Sequence, residues 1–302
     1  MTTIVNANYH FESQQQLLSN LLWCIGSPEI INNRHGFFSD EGVSKTFYSR
    51  LKQTLEQQPD VALKLIKGYL SELKTKRLGE RFEAYWNAAI ELHPDYRLIT
   101  SNFPLRDQGK TLGELDLVIQ CLKTEQLFHI ELTCKFYLQV PGVSGLRQWV
   151  GPGQADRLDK KIHRLEQHQL QLPQTPIASS LLEKNNLDIK RSYSVIKGRL
   201  YTSIAENKPD FDAQINDASV VGRWATRQQL EQQLDYHNLH WCIAKKHQWF
   251  ASFYADQTHS LEKLLSEDIS YPKQLVGFCD GKERVRVFWV EDDWLQQAKL
   301  IY

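Results

Sequence analysis

The chain has 302 residues, 41% of them hydrophobic and 24% charged, and a formal net charge of zero. That length buries a sizeable core without disulfide or metal staples. The neutral balance excludes a protein that coats nucleic acid through its global charge, so any such contact must rest on a local basic surface. The five cysteines (Cys24, Cys121, Cys134, Cys242 and Cys279) are odd in number and form no C-x-x-C pair. They point away from a disulfide framework or a cysteine-zinc site and toward a reducing cytoplasm. Residues 1–10 lack a basic stretch followed by an apolar one, so no signal peptide is expected, and no window approaches the length of a membrane span.

Residues 10–92 read as helical. Leu17, Leu18, Leu21, Leu22 and Ile25 recur at helix spacing over 14–25, and Pro28 ends that pattern. A longer stripe over 62–92 predicts two helices or one bent helix, broken near Gly79 and closed by Pro94. The period then changes. Residues 96–100 predict a short strand, and 113–121 (GELDLVIQC) and 126–140 (QLFHIELTCKFYLQV) predict two more, joined by a tight connection over 122–125. The three form a half-buried meander. Residues 141–153 (PGVSGLRQWVGPG) are loop by composition. Residues 154–172 predict a helix with Leu158, Ile162, Leu165 and Leu170 inward, and 192–204 a strand bent at Gly198. Polar residues 206–218 suggest a soft boundary. The tail predicts a helix over 226–236 and strands over 240–244, 249–254, 274–279 and 285–290. The division expected is a helical region over 1–60, a core over 61–205 and an α+β extension over 206–302.

The chemistry concentrates in 113–135. Asp116 and Glu131 each interrupt an apolar strand, and a buried acid is costly unless something pairs with it. On adjacent strands the two repel unless a proton or cation lies between them. A hard, oxygen-liking cation such as magnesium resolves the conflict. Strand alternation puts Glu131, Thr133 and Lys135 on one face and turns Cys134 away.

GELDLV, followed in the next strand by IEL with a lysine close behind, resembles the PD-(D/E)XK nuclease superfamily. The resemblance implies an α/β fold, with a restriction-endonuclease-like core sheet flanked by helices over 61–205. It implies Mg2+ or Mn2+ held by Asp116 and Glu131, and hydrolysis of phosphodiester bonds in DNA or RNA. It also implies a helical Glu joining the site. In GERFE that residue is Glu83, with Glu80 as its competitor; Gly79 would let the helix approach the sheet, with Phe82 and Trp86 packed beneath. The superfamily's lysine would fall at position 133, where this chain has Thr133. Lys135, about 7 Å further along the strand, is the substitute, leaning back to position a water. At closer range LGERFEAYW, LGELDLV, HIELTCKFYL, WVGPG and DRLDKKIHRLEQHQL resemble an uncharacterised bacterial family, DUF1853, over most of the chain.

The rival reading is a protein that keeps this fold without turnover and binds nucleic acid or protein; Thr133 and the neutral charge favour it. Arg157, Lys160, Lys161 and Arg164 on the 154–172 helix are placed to touch phosphates, but interleaved Asp156, Asp159 and Glu166 favour a solvated face. His237 and His240 have metal-pair spacing but no evident third ligand. Trp149 reads as a loop anchor rather than a base-stacking platform.

Overall fold

The computed structural model describes residues 12–32, 35–75, 77–206 and 211–302. The expected absence of a leader over 1–10 and part of the 206–218 loop lie outside them. Four helices come first: α1 (Gln14–Gly26), α2 (Glu41–Gln57), α3 (Pro59–Ser71) and α4 (Leu78–Leu92). Their ends follow local chemistry. Ser13 and Asp40 accept from the free N–H groups of the first turns of α1 and α2, and Pro59 opens α3 where no N–H is needed. The long stripe is therefore two helices.

An antiparallel meander follows: β1 (Tyr96–Asp107), β2 (Lys110–Cys121) and β3 (Leu127–Gln139). β1 runs past the expected residue 100, through shifts in its register with β2. Next come β4 (Trp149–Val150), α5 (Leu158–Arg164), a π turn over Leu165–Gln169 and α6 (Pro176–Lys184). This crossover leads to β5 (Ile189–Ser203), which lies parallel to β3. The tail adds β6 (Val220–Ala225), α7 (Arg227–Glu231), β7 (His240–Ile243), α8 (Leu261–Leu265), β8 (Lys273–Cys279), β9 (Lys282–Trp289) and α9 (Trp294–Lys299). The strand expected over 249–254 is absent: a 3-10 turn at Lys246–Trp249 and irregular chain take its place. Its apolar residues Trp249, Phe250 and Phe253 pack into the main core without a ladder partner.

All strands join one mixed nine-stranded sheet in the order β1-β2-β3-β5-β6-β9-β8-β7, with β4 paired to β3. The sheet runs without interruption across residue 206. β3 lies centrally, covered on both faces, which explains its near-continuous burial. Ile130, Leu132, Cys134, Phe136 and Leu138 face the core under α1–α4. Tyr137 faces the other way, onto Trp149, Leu158, Ile162 and Leu165. Among the described residues no helix is long and apolar enough to cross a membrane.

Candidate functional site

β2 and β3 pair from Gln120↔Leu127 to Leu117↔Ile130, and there the ladder stops. The next pair in register would be Asp116 with Glu131. Instead, Asp116 Oδ2 accepts a hydrogen bond from the Leu132 N–H at 2.8 Å. An aspartate side chain thus takes the place of a backbone acceptor at the point where the strands part. Beyond it, Leu132 to Phe136 line an open cleft of about 860 Å³ until β4 resumes pairing at Leu138.

Glu131 is 1% exposed, and both of its oxygens are engaged. His129 Nε2 donates to Oε1 at 2.9 Å, and the Gln169 side-chain amide donates to Oε2. Gln169 reaches it because the chain widens into the π turn, where the Leu170 N–H bonds back to Leu165 O. Gln169 also accepts from Lys161 Nζ at 3.2 Å. Lys161, half-buried on α5, feels the charges of Glu131 and Asp116; burial lowers its pKa and those carboxylates oppose the shift.

α4 brings in a third acid. Burial, above all, raises the Glu83 pKa to about 7; the Asn102 side chain lowers it, and the charges of Glu114, Glu80 and Glu131 add to the rise. Asn102 stands in β1 at φ 50, in the left-handed region where asparagine is among the better tolerated residues. Glu80 is turned aside to the Thr75 N–H and hydroxyl. Between Glu80 and Glu83, Glu83 is thus the one that senses the strand pair. Gly79 does not serve close approach, since a Cβ there would meet nothing within 4 Å. Phe82 and Trp86 pack beneath, at 1% and 0% exposed.

For Asp116, burial and then the charge of Glu131 raise the pKa to about 8, against the Leu132 bond and Lys161. Glu83, Asp116 and Glu131 thus feel one another's charge, and the ammonium of Lys161 acts on Asp116 and Glu131. Lys135 has another partner: its Nζ lies 2.6 Å from Asp156 on the cleft loop. Thr133, at the superfamily's lysine position, is 3% exposed and leaves its Oγ1 without a hydrogen-bond partner on the cleft wall.

The remaining candidates resolve into structure. Trp149 is fully buried and tilts against Phe211, an anchor rather than a stacking platform. His237 bonds Glu262 and the Glu231 carbonyl. Lys160, His163 and Arg164 are exposed, as a solvated face requires. Among the described residues no three His, Cys, Asp or Glu side chains group tightly enough to hold a metal ion by themselves.

A family model described as a domain of unknown function (DUF1853) matches residues 19–275. The chain belongs to this family. The match takes in α2, α3, α4, most of α1 and every residue of the cleft described above. No curated protein and no solved structure matches the chain significantly.

Proposed function

We propose that this DUF1853 protein is a divalent-metal-dependent phosphodiesterase of restriction-endonuclease-like type, acting on DNA or RNA in the cleft where β2 leaves β3. One observation carries the reading. Three acids from three separate elements converge on one field that holds too little positive charge for them. A proton on Asp116 relieves that field, and so does a hard cation. The donors suit magnesium or manganese, being all oxygen. Asp116, Glu131 and Glu83 would have to draw together to hold the ion, since no three such side chains among the described residues could do so as they stand. The Leu132 carbonyl, on the same strand edge as its N–H, and water would supply the remaining ligands. The orphaned Thr133 Oγ1 is a buried polar atom beside the cleft. When bound, the ion polarises a phosphate and acidifies a bound water.

The chain's own residues do the rest. Lys161 stands in for the strand lysine, approaching from α5 instead of from position 133. It offers positive charge to a phosphate oxygen and to the charge that develops there. Gln169 fixes Lys161 and Glu131 relative to one another, and His129 orients Glu131 from the opposite side. Lys135, paired with Asp156, shapes the cleft wall. A second reading, binding without turnover, draws support from the protein partners already on both Glu131 oxygens.

The deciding experiment measures cleavage of duplex DNA, single-stranded DNA and RNA with Mg2+ or Mn2+. Asp116→Ala should abolish cutting and weaken metal binding by calorimetry. Lys161→Ala should slow cutting about a hundredfold, as loss of a preorganised charge does, and leave metal binding intact. Cleavage by Asp116→Ala at the parent rate would overturn the enzyme reading. Nucleic-acid binding without any metal-dependent cutting would leave the second.

A further inference from the structure

Two arginines on neighbouring parts of the sheet are used in opposite ways. Arg286 on β9 is 3% exposed and spends all five of its N–H donors. Its Nε and Nη2 bind Glu283 at 2.6 and 2.8 Å, and Nη1 and Nη2 also reach Gln248 O, Gln274 Oε1 and Ala251 O. Arg199 on β5 stacks over Trp23 at 5.3 Å, donates to Phe250 O and bonds the Tyr201 hydroxyl. Among the described residues it has no carboxylate partner, because Glu283, the acid whose charge reaches it, is committed to Arg286.

Arg199 lines a small pocket of about 200 Å³ between the end of α1 and β9. Arg284 lines it too and is exposed. So does Ser27, 9% exposed, whose Oγ has no hydrogen-bond partner. With Arg286 and Glu283 cancelling, the pocket carries two uncompensated guanidinium charges and a spare hydroxyl in a chain whose net charge is zero. It shares no lining residue with the cleft. A buried arginine left without a counter-ion is costly unless an anion joins it. Guanidinium donors in a fork, with one hydroxyl, match a tetrahedral oxyanion. The volume admits a phosphate group and little more.

We propose that Arg199, Arg284 and Ser27 form a binding site for a phosphate group, separate from the cleft. The ligand is inorganic phosphate or the terminal phosphate of a small molecule. The site does not depend on the cleft being catalytic.

Calorimetry of the full chain with inorganic phosphate, at constant ionic strength in chloride, tests it. Binding should be saturable, and an AMP arm tells free phosphate from a phosphate ester. Acetate at the same concentration should bind far more weakly. Arg284→Ala leaves the core untouched and should weaken phosphate binding about ten- to a hundredfold, the worth of one charge-assisted hydrogen bond. Arg199→Gln should abolish it. Lys161→Ala should leave it unchanged. The proposal is overturned by the absence of saturable binding, by parental affinity in Arg284→Ala, or by loss of binding in Lys161→Ala, which would put the phosphate in the cleft.

Discussion

Substituting Gly198 tests the alignment of the strand that backs the cleft. Gly198 faces Lys135 across the parallel β3–β5 ladder, at φ 150. A Cβ built there falls 1.7 Å from the Lys135 carbonyl oxygen and 2.8 Å from its carbon. Ordinary contact between such atoms is about 3.5 Å. The obstacle is backbone, which cannot rotate away, so β3 and β5 must separate or the φ must change. A non-glycine residue in a strained backbone region costs about 1–3 kcal/mol, and overpacking adds about 1–3 kcal/mol. Gly198→Ala should therefore destabilise by about 2–6 kcal/mol, a large part of the roughly 5–15 kcal/mol that holds a domain folded. Urea unfolding followed by tryptophan fluorescence measures it. Gly79→Ala is the control: its Cβ meets nothing within 4 Å, and the change should be neutral or stabilising by at most about 1 kcal/mol. A Gly198→Ala midpoint within error of the parent's would refute the reasoning. Any variant that folds should show a shifted Lys135 and an altered cleft.

Three further outcomes follow from particular contacts. His93 accepts from the Asp95 N–H at Nδ1 and bonds Phe47 O through Nε2, and burial lowers its pKa to about 4. The unfolded chain therefore takes up the proton first. Stability from this group is complete above about pH 6.5 and is lost toward pH 4, at up to about 1.4 kcal/mol per unit; His93→Gln should flatten that part of a pH–stability curve relative to the parent. Trp224 and Trp149 are equally buried, but Trp224 Nε1 donates to Gln139 O at 2.8 Å while Trp149 Nε1 has no partner. Trp224→Phe should cost about 1–3 kcal/mol more than Trp149→Phe in denaturant melts, and equal costs would show that the bond contributes nothing. The Lys135–Asp156 pair is about a third exposed on each side, so Lys135→Ala should change stability by less than about 1 kcal/mol and slow any cleavage less than Lys161→Ala does.

Much of the meander and the inward stripe of α5 was legible in the sequence, because period-2 and period-3.6 patterns report local geometry directly. Asp116 and Glu131 stood out for a similar reason: an acid inside an apolar run conflicts with its surroundings. Lys161 was legible in part. It stands three residues after Leu158 and four before Leu165, on the inward stripe, yet its charge placed it among the solvated basic residues. The five-residue step from Leu165 to Leu170 was a trace of the π turn, hidden within a helix expected to be regular.

The remainder needed the tertiary structure. Which lysine meets the acids depends on where the crossover helix lands over β3, and no spacing within β3 encodes that. Lys135 shares the predicted face with Glu131, but Asp156 on a loop closer to it in space takes its charge. The pairing of Gln169 and His129 with Glu131, and the isolation of Arg199 beside a satisfied Arg286, join residues far apart in the chain. The apolar segment at 249–254 carries a strand's composition and lacks a strand's partner. Composition expresses what a residue prefers locally; partners are distributed by packing, which the whole chain decides at once.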